Sequence, residues 1–185
     1  MAALDHLWAG WRSDFVSSST EAGSERLGEG QGPAGEGPLG KGCVFCRILA
    51  SGLPDEQTQI VWRHRSGRAF AILNAYPYTS GHLMAMPVRH VAEVEDLDTD
   101  ESADLWDAVR CAVRALKAAY QPEGVNIGAN LGRAAGAGVP GHFHMHIVPR
   151  WVGDTNFMTS VANARILPEP LEESAKKLRA AWAGL

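Results

Sequence analysis

The chain has 185 residues, 45% of them hydrophobic, and a formal net charge of −4. That is enough apolar material for one domain with a core and an appendage. The mildly acidic balance excludes a global attraction to nucleic acid or to an anionic membrane, and no apolar run approaches the ~20 residues that span a bilayer.

The first residues carry Asp5, His6 and Arg12 among apolar neighbours and lack the layout of a secretory signal. Leu4, Leu7, Trp8, Trp11, Phe15 and Val16 recur at helical spacing despite Gly10, so residues 1–16 read as a docking segment rich in aromatics. From 17 to 41 the composition turns to Gly, Ser, Glu and Pro, which cannot offset its ordering entropy and reads as a flexible linker. The domain proper is expected over 42–185. Cys43 to Leu49 reads as a short turn or helix, halted by Ser51-Gly52-Leu53-Pro54. Gln59 to Arg63, Arg68 to Leu73 and His82 to Met86 read as strands, the last closed by Pro87.

Asp98 with Glu101 three residues on forms a capping box. Leu105, Trp106, Val109, Ala112, Val113, Leu116 and Tyr120 then make the buried stripe of a long helix that stops before Pro122 and Gly124. Val125 to Asn130 reads as a strand, His142 to Arg150 as another, and Pro170 to Ala183 as a closing helix. The order β-β-β-α-β-β with short connections predicts an antiparallel α+β fold with five strands. Cys111, at the edge of the helix stripe, is expected as a buried small hydrophobe.

The chemistry concentrates in His142-Phe143-His144-Met145-His146-Ile147-Val148. On a strand the three imidazoles share one face and Phe143, Met145 and Ile147 the other. Ahead of them Gly128 to Gly141 is a glycine-rich run whose backbone N–H groups can approach an anion closely. Imidazoles beside backbone donors suit phosphate chemistry. A metal held by all three histidines is disfavoured, because His142 and His146 would stand roughly 13 Å apart at about 3.3 Å of rise per residue. Cys43-Val44-Phe45-Cys46 allows a redox pair, a metal half-site or two buried thiols. A thioredoxin-like reading lacks its βαβ context. The small number of cysteines fits a reducing, cytoplasmic compartment.

His-φ-His-φ-His-φ-φ resembles the signature of the histidine triad (HIT) family of nucleotidyl hydrolases and transferases. Leu7 to Arg12, Leu73-Asn74-Ala75-Tyr76-Pro77-Tyr78, Gly81-His82-Leu83-Met84, Pro87 to Val91, Val125 to Gly128 and Pro149 to Met158 are similar to a bacterial subgroup related to diadenosine tetraphosphate phosphorylases. Gly10 departs from that subgroup, which often has proline there. The resemblance covers about 42–157 and implies a homodimer that extends one sheet across both subunits. It implies that His144 is the nucleophile at an α-phosphorus and that His146 donates to a phosphate oxygen or helps hold the strand. Asn130 and the backbone of Gly136, Ala137, Gly138 and Val139 would stabilise phosphoryl charge, and Asn74 would bind ribose hydroxyls or serve only as a turn residue. It further implies a structural zinc held by Cys43, Cys46, His90 and His142, and no organic cofactor.

The substrate class implied is an adenine nucleotide or dinucleoside polyphosphate. The subgroup favours phosphorolysis of diadenosine tetraphosphate with inorganic phosphate as acceptor, and the alternative is hydrolysis of dinucleoside polyphosphates or AMP phosphoramidates with water as acceptor. A dinucleotide sensor without turnover is a rival that makes no use of a nucleophile at 144. A zinc-stabilised nucleic-acid binder is disfavoured by the net charge. His82 reads as structural, and His6 and His64 read as surface residues. Arg150, Trp151, Asp154 and Asn156 read equally as strand-end structure or as ligand contacts.

Overall fold

The structure, a computed structural model, describes residues 42–155 and 169–184. The expected docking segment over 1–16, the linker over 17–41, His6 and Asn156 lie outside the described residues.

The elements in chain order are α1 (Val44–Ala50), α2 (Asp55–Thr58), β1 (Ile60–Arg63), β2 (Ala69–Leu73), β3 (Leu83–Pro87), α3 (Thr99–Tyr120), β4 (Gly124–Gly128), β5 (Met145–Arg150) and α4 (Leu171–Ala183). The strands form one antiparallel five-stranded sheet in the order β1-β2-β3-β5-β4. This is the predicted α+β architecture with its long helix and closing helix. The four-residue α2 is an addition. Among the described residues no helix is long and apolar enough to cross a membrane.

Both faces of the sheet are covered, and this hides the alternation that a half-buried strand shows. Ala69, Ala71, Leu73, Leu83, Ala85, Phe143 and Ile147 face α3 and α4, where they meet Leu105, Val109, Leu116, Leu178 and Trp182. Phe70, Ile72, Met84 and Met86 face the opposite way and pack with Phe45 of α1. Each of the Leu, Ile, Met and Phe side chains taken from water contributes roughly 1.5–3 kcal/mol, so an aspartate at fully buried Ile147 would break the layer between sheet and α3. α3 begins where the local chemistry demands: Asp98 accepts from the Glu101 N–H at 2.7 Å and Glu101 reaches back to the Asp98 N–H at 3.1 Å. The buried Glu101 carboxylate also receives Arg89 on both oxygens at 2.7 and 2.6 Å, which ties the segment after β3, and hence His90, to the start of α3. The Arg89 hydrogen bond holds the Glu101 carboxyl below its ordinary range.

Three expectations need correction. Trp106 is 55% exposed, not buried, because the apolar stripe of α3 is wider than the sheet beneath it; Leu105, Ala108, Val109, Ala112 and Leu116 face the core instead. His64 is buried rather than on the surface. Its Nδ1 lies 2.7 Å from Ser66 Oγ and its two nitrogens lie 3.5 and 3.6 Å from Asp104 and Asp107 of α3. Cys111 is only half-buried, at the margin of the core.

Candidate active site and metal cluster

The histidine strand starts later than its sequence suggests. β5 runs from Met145, and His142 to His144 precede it in a bent segment. The reason is local: the His144 side chain, not a ladder N–H, bonds the His142 carbonyl, and the Phe143 N–H donates sideways to Val91 O at 2.6 Å. Phe143 and Ile147 still point to the core and the imidazoles to the other face, as the alternation predicts.

A neutral imidazole has one N–H and one lone pair, so each ring's fixed partner assigns what its other nitrogen offers. His144 Nδ1 lies 2.8 Å from the His142 carbonyl, which can only accept. Nδ1 therefore carries the proton and Nε2 carries the lone pair. The described side-chain atoms that are both buried and without a partner are Gln59 Oε1, Ser80 Oγ and Trp182 Nε1, and His144 Nε2 is not among them. That nitrogen makes no hydrogen bond among the described residues, and the residue as a whole is 5% exposed. The Phe45 ring, 5.5 Å away between centroids, walls one side of the imidazole.

His146 is held differently. The Tyr78 N–H donates to His82 Nδ1 at 3.1 Å, so His82 Nε2–H donates to His146 Nδ1 at 3.0 Å. His146 then presents Nε2–H outward as a donor. Reading His82 as merely structural is thus too narrow: it is fully buried and orients a triad histidine. Burial, and secondarily the neighbouring His144, pushes the His146 imidazole down to about 4. Burial likewise lowers His144, against the bond to the His142 carbonyl. Both are neutral near pH 7.

His142 turns away from the other two. Its Nε2–H donates to Pro87 O at 2.9 Å, which aims Nδ1 at the thiols, 3.4 Å from Cys43 Sγ and 3.6 Å from Cys46 Sγ. Cys46 Sγ lies 3.4 Å from His90 Nδ1, and the four ligand atoms all fall within 4.8 Å of one another. A tetrahedral ion with arms of about 2.3 Å to sulfur and 2.0–2.1 Å to nitrogen needs an S···N edge of about 3.5 Å. The observed separations match that edge, and the Pro87 carbonyl is the outer partner that a metal-ligating histidine normally has. The residues fit a closed Cys₂His₂ site. Desolvation lowers both His90 and His142, the latter to about 4, which keeps their ligating nitrogens unprotonated.

The glycine-rich loop leaves β4 at Gly128, the cross-strand partner of His146, and ends at His142. Its N–H groups are not equivalent. Gly136 and Ala137 donate within the loop, to Arg133 O at 2.9 Å and Gly132 O at 3.2 Å. Asn130 Nδ2 braces the same turn through Gly136 O at 3.4 Å. Gly132 and Gly136 adopt positive φ, 74° and 90°, which this turn requires and a side chain would strain. The N–H groups of Gly138 and Val139 make no hydrogen bond among the described residues and so stay available to a ligand, as do others in this loop such as those of Leu131 and Gly141.

Asn74 closes an Asx turn: Oδ1 accepts the Tyr76 N–H at 2.9 Å while Nδ2 lies 3.4 Å from His82 Nδ1. One lone pair and one amide hydrogen remain for a ligand. Arg150 is committed elsewhere. Its guanidinium grips Asp154 at 2.6 and 2.7 Å and Asn126 Oδ1 at 2.8 Å. Asp154 also caps the Trp151 N–H, and the Trp151 ring meets Tyr120 edge-on at 6.4 Å. These three residues clasp the end of β5.

Comparison with known proteins agrees with this geometry. The HIT domain family profile matches residues 56–152, just over half the chain. An AP-4-A phosphorylase of Mycobacterium tuberculosis is 42% identical over 131 residues, covering 71% of this chain and 66% of that one, so the match spans less than two thirds of the relative's length. A Zn-bound histidine triad family protein from Mycobacterium smegmatis superposes with a TM-score of 0.61 at 30% identity, covering 77% of this chain and 93% of that one. A hypothetical histidine triad nucleotide-binding protein from Sulfolobus tokodaii gives 0.63 at 30% identity, with coverage of 77% and 93%. A triad of imidazoles on one face of a five-stranded antiparallel sheet, a matching family profile and these relatives lead to one conclusion: the chain belongs to the HIT family.

Proposed function

We propose that this chain is a nucleotidyl transferase acting at the α-phosphate of adenine dinucleotides, and that its reaction is phosphorolysis of diadenosine tetraphosphate to ADP and ATP. The observation that carries the reading is His144 Nε2, a lone pair held in one tautomer by the His142 carbonyl 2.8 Å from the opposite nitrogen. Nε2 attacks the α-phosphorus, the bond to the bridging oxygen breaks, and ATP leaves as nucleotidyl-His144 forms. His146 Nε2–H donates to a phosphate oxygen, and the N–H groups of Gly138 and Val139 take up charge on the phosphoryl oxygens. Asn74 holds the ribose. Inorganic phosphate then attacks the same phosphorus, the P–N bond breaks, and ADP departs. Zinc at Cys43, Cys46, His90 and His142 would supply a cross-link between α1, the segment after β3 and the start of the triad, with no part in bond making.

The 42% identity to an AP-4-A phosphorylase favours phosphate over water as acceptor. Chromatography of the products formed with and without phosphate tests this: ADP and ATP that require phosphate are expected, and AMP released without it overturns the phosphorylase version in favour of hydrolysis. We also propose a homodimer. Edge strand β4 exposes 44% of Ile127 beside Trp106, and together with Val109 and Val113 they line an apolar hollow that a second copy of the same edge would cover. Light scattering is expected to give twice the chain mass, and a monomer refutes it.

A further inference from the structure

We propose that Tyr76 is a stacking surface for a nucleobase of the substrate, an inference that rests on the dinucleotide reading above. Tyr76 is 81% exposed, although the ring is among the larger apolar surfaces a chain can bury. It stands on a stiff support. Asn74 Oδ1 holds its N–H at 2.9 Å, the Asn74 N–H donates to His82 O at 2.9 Å, and the Tyr78 N–H is fixed on His82 Nδ1 at 3.1 Å. Farther along, the His82 N–H donates to Thr79 O at 3.2 Å, and Thr79 Oγ1 to Pro149 O at 2.9 Å. Pro77 stiffens the backbone between the two tyrosines.

This loop borders the chemistry directly. The Tyr78 ring lies 4.6 Å from His82 and 6.1 Å from His146 between centroids, the latter at 24° to parallel. Asn74, with its remaining lone pair and amide hydrogen, is two residues before Tyr76. A nucleotide bound with its phosphate at His144 and His146 therefore meets this loop next. A rigid, exposed aromatic with two side-chain torsions loses little entropy on covering a flat ring, and every base offers a π-face. The turn holds the tyrosine ready before the ligand arrives, which lowers the cost of binding.

Two bases in a dinucleotide could take this place, that of the transferred nucleoside or that of the leaving one, and the test separates them. Initial rates are measured with the full chain at saturating phosphate for wild type, Tyr76→Ala and Tyr76→Phe, using diadenosine tetraphosphate and adenosine 5′-tetraphosphate, which carries one base. Tyr76→Ala is expected to raise KM for diadenosine tetraphosphate about tenfold at nearly constant kcat. Tyr76→Phe, which keeps the ring, is expected to restore it, and the melting temperature of both variants to match wild type. An equal rise with adenosine tetraphosphate assigns the transferred base; a rise with the dinucleotide alone assigns the leaving one. Unchanged KM for both substrates, or a loss of kcat at constant KM, overturns the proposal. A wild-type chain that forms no nucleotidyl adduct and consumes neither substrate refutes the underlying reading instead.

Discussion

The two ends of the triad use the same side chain for opposite purposes. At one end His142 is 1% exposed, faces two thiols and His90, and is anchored through its far nitrogen to the Pro87 carbonyl. At the other His146 is half-buried, anchored through its near nitrogen to His82, lies stacked near the Tyr78 ring and keeps its Nε2–H for a ligand. Between them His144 is anchored on a backbone carbonyl and offers a lone pair. In the proposed reaction, what would distinguish the metal ligand, the nucleophile and the donor is the acceptor or donor behind each ring and not the ring itself. Spacing sets the face; the outer partner sets the role.

That contrast can be broken most severely in the middle. His144→Asn removes the lone pair while leaving a side chain that can still bond the His142 carbonyl, so turnover is expected to fall on the order of 10⁴-fold or more. Mass spectrometry is expected to find the nucleotidyl adduct on wild type and none on the variant. An active variant would move the nucleophile elsewhere. The closed end is next. Cys46→Ser removes a thiolate from a site whose four ligand atoms lie within 4.8 Å of one another. Metal at a thousand times its dissociation constant stabilises by about 4 kcal/mol, and a chain of this size loses roughly 2–4 °C per kcal/mol. Chelation or Cys46→Ser is therefore expected to lower the melting temperature by roughly 8–16 °C, and elemental analysis to find about one zinc per wild-type chain. Zinc-free protein with an unchanged melting temperature would refute the cluster.

What the chain discloses in one dimension is what local chemistry decides. Asp98 and Glu101 cap α3 through bonds between residues three apart, and Pro170 does stand just before α4. The triad face is legible because alternation is a property of extended backbone alone, even though β5 itself starts only at Met145. His82 and His64 were not, since their partners come from distant segments: His146 lies across the β3–β5 pairing, and Asp104 and Asp107 lie on α3. No pattern around Gly81-His82 or His64-Arg65 reports that register. Trp106 misled for the converse reason. An apolar residue on a helical stripe reads as core, and the periodicity is the same whether the covering surface is the chain's own sheet or another molecule.

The open end gives the smallest and sharpest effects. His82→Phe keeps the volume but removes the N–H that holds His146 Nδ1, 3.0 Å away in the wild type. The substitution also removes the Nδ1 acceptor of the Tyr78 N–H, 3.1 Å away. With each buried hydrogen bond worth about 1–3 kcal/mol, kcat is expected to fall roughly 5-fold or more, with KM for phosphate little changed. pH then tells a positioning role from a structural one. The His146 imidazole in the folded chain titrates at about 4, below its ordinary 6.5, because burial disfavours the cation. Between those values the unfolded chain takes up a proton at this position and the folded chain does not. Stability from this group is thus fully present above pH 6.5, declines as pH falls toward 4, and changes no further below it. Since kcat/KM follows the free enzyme, its acid limb in the wild type is expected well below 6.5, and an acid limb at 6.5 would contradict the burial of both imidazoles. In His82→Phe the ring loses its anchor and is free to tilt toward water, which relieves the desolvation that lowers it. The acid limb of the variant is therefore expected to move upward toward 6.5, whereas a variant that was merely less stable would lose amplitude and keep the wild-type limb.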